Sequence, residues 1–199
     1  FDFSEDTAGS DHSRFCWANA AYAMGVNVTR AHKAFGWCSM IRGKESGGIV
    51  EGLPVHTFET DDGGVDMKCP AEVSIPDRRE KELEDNGLMA MIHWKNSDYA
   101  AFLSATSIQK PVKYDKADAT ASAALSSKLN YLFAANRFAH YLKVMVRDKI
   151  GGFKERADMQ RWLNDWINQY VLTDPHMHGD EMKAKRPLAE ARVEVEEVE

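Results

Sequence analysis

The chain has 199 residues, 44 % of them apolar, and a net charge of −6. That length admits one large domain or two small ones, and the acidic balance argues against a general nucleic-acid binder, which needs a basic face for phosphates. No apolar run is long enough to span a bilayer, no signal-peptide pattern is read, and three widely spaced cysteines, Cys16, Cys38 and Cys69, fit unpaired thiols of a reducing compartment. Phe1 to Ser10 is polar and reads as loose. Asp11 or Ser13 can cap a helix running to Phe35, with Gly36 as its stop. Its stripe of Phe15, Ala18, Tyr22, Val26, Thr29, Lys33 and Phe35 is only partial, and Gly25 permits a bend.

The stretch from Gly47 to Asp62 is the one around which the helical segments on either side are organised. Val55, Thr57 and Phe58 favour a strand, and Asp61-Asp62-Gly63-Gly64 is a turn. Val65, Met67, Cys69, Ala71, Val73 and Ile75 then alternate with polar residues, the period of a half-buried strand, so the two runs predict a β-hairpin. Pro70 cannot donate to a ladder and makes the second strand an edge strand or breaks it. Pro76-Asp77 opens a charged surface helix, Arg78 to Asp85, closed by Asn86-Gly87. Leu88 to Trp94 reads as a buried strand; Tyr99 to Ser107 reads as another, or as helix through Ala100-Ala101.

A long helix is predicted from Asp118 to Ile150. Its stripe of Leu125, Leu129, Leu132, Ala135, Ala139, Leu142 and Val146, widened by Phe133, Phe138, Tyr141 and Met145, predicts extensive burial. Gly151-Gly152 ends it. Glu155 to Val171 carries Met159, Trp162, Leu163, Trp166, Ile167 and Tyr170 at helical spacing, so the pair forms an αα-hairpin. Asp174-Pro175 stops the second helix, His176 to Asp180 is a loop, and a helical turn near Lys183 precedes a last strand.

Few residues offer chemistry. Cys38 with His56, Asp61 and Asp62 is the arrangement a thiol hydrolase would need, a nucleophile beside a base, but no local signature accompanies it. His176, His178 and Asp180 resemble a metal-binding run and read more simply as a solvated loop. The glycine-rich Gly43 to Gly52 matches neither phosphate-binding fingerprint and is read as a turn. No catalytic, metal or cofactor-binding residue is assigned. In the final segment Ala191, Val193 and Val195 alternate with Arg192, Glu194 and Glu196. It is either an edge strand guarded by charge or a strand that pairs with another chain. The chain begins at Phe1 rather than Met and stops within this segment, so a piece of a longer protein is expected.

The segments WANAAYA (17–23), GWC (36–38), IRG (41–43), EGLPVHTFETDDG (51–63), DRREKELEDNG (77–87), DYAAF (98–102), QKPVKYD (109–115), NRFAHYLKVMVRDKIGGF (136–153), RWLNDWINQYV (161–171) and EARVEVEEVE (190–199) carry a resemblance. The chain resembles the large sheath subunit of bacterial type VI secretion systems, the TssC/VipB family, over nearly its whole length. The resemblance implies a single α/β (α+β) tail-sheath-like domain over 1–199, a β-sheet flanked by helices, from the C-terminal part of that subunit. It implies a cytoplasmic structural protein without cofactor or catalytic site. Its partners would be the small sheath subunit, further copies of itself in a helical lattice, the inner tube protein and an AAA+ disassembly ATPase. By the same resemblance Ala191 to Glu196 would be an inter-subunit strand, and the long helix, with Arg137, Lys143, Arg147 and Lys149, would face the inner tube.

Overall fold

The structure is a computed structural model that describes residues 2–8, 11–149, 151–152 and 155–196. Its class is α+β, and the described residues form six α-helices and two small antiparallel sheets. The chain divides into two compact units, Phe1–Arg30 with Ile41–Lys128, and Ala31–Met40 with Leu129–Glu199.

The first unit is built on a three-stranded sheet of β1 (Ile49–Val50), β4 (Met91–His93) and β5 (Ala100–Phe102), in the order β1-β5-β4. Ala101 stands opposite Ile49 on one side and Ile92 on the other. Ala100, Ala101 and Phe102 are fully buried, so the Tyr99–Ser107 run is a central strand at its start and not a helix. Small side chains suit that place because both neighbours and both faces crowd it. The glycine-rich turn closes on this sheet. Gly43 N–H donates to Phe102 O at 2.7 Å, and Phe102 N–H donates to Gly48 O at 2.9 Å. A Cβ on Gly48 would lie 2.4 Å from Phe102 O and 2.6 Å from Gly43 N, so no larger residue fits there. Arg30 ties the turn to helix α1 (Ala20–Phe35), donating to Asn27 Oδ1 and to the carbonyls of Gly47 and Ile49.

The predicted hairpin is β2 (Thr57–Glu59) with β3 (Val65–Met67), Phe58 opposite Asp66. Thr60 supports its turn, accepting from Gly64 N–H at 3.0 Å through Oγ1. β3 ends at Met67 rather than Ile75, because Pro70 interrupts the ladder. The first helix also begins later than predicted. Asp11 caps only the 3-10 turn His12–Arg14, and Asn19 Oδ1, accepting from Ala21 N–H at 2.9 Å, caps α1. Helix α2 (Asp77–Asp85) is charged on its surface as expected, although Glu80 is buried.

The long helix is two helices, α3 (Ala117–Ser126) and α4 (Leu129–Lys149). Ser126 and Ser127 turn their hydroxyls back onto the carbonyls of Ala123 and Ala124, at 2.8 and 2.7 Å. Lys128 leaves the helix to bridge Thr106 and to place its ammonium on Glu84. The predicted stripe does not make this element a buried one. Leu125, Tyr131, Phe133 and Tyr141 are exposed in this chain, and Phe138 alone of the described α4 residues is buried.

In the second unit α4 and α5 (Arg156–Asn168) form the αα-hairpin. Lys149 lies over Trp162, Tyr141 meets Trp166, and Phe138 meets Tyr170, so partners advance along α5 as they retreat along α4. Trp37 stacks on Phe138 with ring centroids 4.5 Å apart, and Ile167 completes the buried centre. The last described helix is α6 (Asp180–Lys185), whose Ala184 carbonyl accepts from Ser39 Oγ at 3.1 Å. The helix predicted to Val171 stops at Asn168. Beyond it Tyr170 O and Leu172 N–H instead pair with the backbone of Leu188, at 3.2 and 2.8 Å.

Candidate assembly surface

The segment 190–196 lies along α5 of the second unit. Ala191 and Val193 pack against the Trp37–Phe138–Ile167 centre, as their alternation predicts. Val193 is held by one side chain. Its N–H donates to Asn164 Oδ1 at 2.9 Å, and its carbonyl accepts from Asn164 Nδ2 at 2.7 Å. One helical turn earlier, Gln160 Oε1 accepts from Val195 N–H at 3.2 Å. The primary amides of α5 thus do what a neighbouring strand would do. Bonds at Val193 and Val195 fix one edge of the segment, since backbone groups two residues apart in an extended chain face the same way. Arg192 and Glu194 pair through their side chains at 2.8 Å. Among the described residues no hydrogen bond engages the backbone of Arg192, Glu194 or Glu196, and no strand partner is assigned to the segment.

The four cations singled out on α4 do not share one role. Arg137 is engaged within its unit: Nη1 donates to the Gly36 carbonyl at the end of α1, Nη2 donates to the Tyr141 hydroxyl at 3.0 Å, and the guanidinium lies 4.8 Å from the Trp37 ring centre. This is a planar fork and an aromatic seat, which arginine supplies and lysine does not. Lys143 and Arg147 are exposed one turn apart, and Arg147 stands 3.5 Å from Asp148. Lys149 is exposed over Trp162.

The thiol-hydrolase arrangement fails on its own residues. Burial pushes the Cys38 thiol above its ordinary value, with the Arg137 charge only partly opposing it, which is the reverse of an activated nucleophile. His56 keeps ring contact with Phe15, and Asp61 and Asp62 sit in the hairpin turn. His176 lies in a 3-10 turn, Pro175–Met177, and no group of three or more His, Cys, Asp or Glu among the described residues is arranged to hold a metal ion. Sequence reasoning does not reach the side-chain staple from α5. Its only trace is Asn164 and Gln160, four apart on a helix whose other face is apolar.

Residues 1–109 match the family model described as EvpB/VC_A0108, tail sheath N-terminal domain, and residues 118–199 match that of the tail sheath gpW/gp25-like domain. The chain belongs to the VipB family of tail sheath proteins. The family is a structural one, not a family of enzymes. The type VI secretion system sheath protein TssC1 of Pseudomonas aeruginosa is 62 % identical to the chain over 199 residues, all of this chain and 40 % of the relative. The chain therefore spans well under half of that relative's length. Because the first match is to the family's N-terminal domain, the C-terminal assignment drawn from the resemblance needs correcting: sequence of both domains is present, meeting between residues 109 and 118. No helix among the described residues is long and apolar enough to cross a membrane.

Proposed function

We propose that this chain is the lattice-forming portion of a large sheath subunit in a bacterial, cytoplasmic contractile machine. It would assemble with a small sheath subunit and with further copies of itself around an inner tube. The observation that carries this reading is the asymmetry of 191–196: α5 amides hold one edge, and the backbone of Arg192 and Glu194 is left without partners among the described residues. An open row of N–H and C=O groups is a template for another chain, and charged side chains restrict which one. A strand docked there by main-chain bonds would link neighbours while their other contacts change between two packings, the step that drives the tube. An AAA+ ATPase would then dismantle the contracted lattice. Lys143, Arg147 and Lys149 would face the inner tube, with Arg137 shaping that helix from within.

Glu194→Pro in the full-length subunit tests this. Proline removes one N–H from the open edge and leaves the Val193 and Val195 bonds to α5 in place. The expected result, by electron microscopy of the subunit expressed with its small partner, is soluble heterodimer without tubes. Regular sheaths from that variant would show that the segment is only a local edge.

A further inference from the structure

We propose that Cys69 is a modification site, a thiol built to form mixed disulfides with low-molecular-mass disulfides. The observation is a thiol–imidazole pair that neither the sheath reading nor the family assignment uses. Cys69 Sγ lies 3.6 Å from His93 Nδ1. His93 Nε2 lies 2.7 Å from the Ser97 carbonyl oxygen. A carbonyl only accepts, so Nε2 carries a ring hydrogen, and in the neutral imidazole Nδ1 then presents its lone pair to the sulfur. Ser97 is fixed in turn, since its hydroxyl donates to Trp94 O at 2.6 Å and reaches Tyr99 O at 3.2 Å. Nucleophile, base and orienting group are thus in sequence, the arrangement that activates a thiol.

The thiol is also reachable. Cys69 is half-buried and lines a cavity of about 240 Å³ whose wall includes Phe15, Trp17, Tyr22, Leu53 and Met91. A reagent with an aromatic or aliphatic body fits such a wall. In the reaction Sγ attacks one sulfur of the small disulfide, the reagent's S–S bond breaks and a new S–S bond to Cys69 forms. The thiol proton passes to His93 Nδ1 and then to the departing thiolate. The Cys69 sulfur is oxidised to the disulfide level, and the departing sulfur is reduced to a thiol. Cys16, exposed on the same cavity wall, is the internal comparison. Cys38, held protonated by burial, is expected to react last.

The test uses the whole chain in three single-thiol forms, each with the other two cysteines changed to serine, and dithiobis-nitrobenzoate as the probe. The Cys69-only form should release nitrothiobenzoate about tenfold faster than the Cys16-only form, or more, despite its lower exposure. His93→Gln keeps a donor for Ser97 O but has no base for the sulfur. In the Cys69-only form it should slow release about tenfold, and in the Cys16-only form it should change nothing. Equal rates in the Cys69-only and Cys16-only forms, or a Cys69-only rate indifferent to His93→Gln, overturn the proposal. Should the glutamine variant lose its fold, peptide mass mapping of the unsubstituted chain decides. The first adduct from glutathione disulfide must be on Cys69, and one on Cys16 or Cys38 overturns it.

Discussion

Asn164 reads both backbone groups of Val193, accepting from its N–H at 2.9 Å and donating to its carbonyl at 2.7 Å. A side chain on a helix has taken the place of a strand, and the far edge of the segment has no hydrogen-bond partner among the described residues. Asn164→Ala removes both bonds. At about 0.5–1.5 kcal/mol each, the second unit should lose on the order of 1–3 kcal/mol. Hydrogen exchange at the Val193 amide should rise in step. Asn164→Asp, which keeps the acceptor and loses the donor, should fall between. Unchanged exchange at Val193 in the alanine variant would mean that Ala191 and Val193 hold the segment by packing alone.

The aromatic centre should dominate the stability of the second unit. Phe138 is buried against Trp37, Trp166 and Tyr170. Phe138→Ala should cost about 3–5 kcal/mol in denaturant unfolding. Trp166 is only half-buried, so Trp166→Ala should cost less than Phe138→Ala. The reverse ranking would place the centre of the core elsewhere.

Legibility in the sequence depends on range. The β-hairpin, the αα-hairpin and the amphipathic α5 within it are legible because their signals are local: alternation, a DDGG turn, a stripe at helical spacing. The break after Ser126 is not, because no proline or glycine marks it. It comes from Lys128 reaching Thr106 and Glu84, the latter 44 residues away in sequence. The partly exposed stripe of α4 misleads for a related reason: periodicity shows that a face is apolar, not which surface covers it. Asn164 with Val193 and Cys69 with His93 are 29 and 24 residues apart, and no spacing rule connects such polar pairs.

Glu84 gives the first unit a pH signature. Burial pushes its carboxyl up, but hydrogen bonds and charge from Lys128 and Lys81 outweigh this and hold it below its ordinary value. A depressed carboxylate stabilises the fold above its unfolded-state value, and that stability is lost as pH falls through the folded one. Stability should therefore decline on acidification below the ordinary glutamate range. Lys128→Met should flatten that decline and leave Lys81 as the remaining partner. Parallel curves for the two proteins between neutral and acid pH would remove Glu84 from the account.

Gly48 should not tolerate a side chain. Its backbone carries the bond from Phe102 N–H, and a Cβ would meet the Phe102 oxygen at 2.4 Å. Both obstacles are backbone, so nothing yields easily. Gly48→Ala should cost about 1–3 kcal/mol through overpacking, whereas Gly25→Ala, with open space around its Cβ, should be neutral or stabilising. Equal melting temperatures for the Gly48 variant and the unsubstituted chain would show that the turn can move off β5.

Arg137 separates the two roles proposed for α4. Its guanidinium is spent on Gly36 O, the Tyr141 hydroxyl and the face of Trp37, all within the second unit. Arg137→Lys keeps the charge and loses the fork, so it should destabilise by about 1.5–3 kcal/mol, the range for a hydrogen bond to a charged group. Among the described residues Lys143 and Arg147 have no comparable contact beyond the exposed Arg147–Asp148 pair, and reversing both to glutamate should leave the stability within about 0.5 kcal/mol of the original, as surface changes do. If the exposed face approaches the tube, the reversed pair acts on register and encounter more than on folding. The full-length double variant should still form heterodimer with its small partner but should load inner tube poorly. Sheaths that load tube normally with Lys143→Glu and Arg147→Glu together would place the tube contact on another surface, while Arg137→Lys would keep its effect on stability.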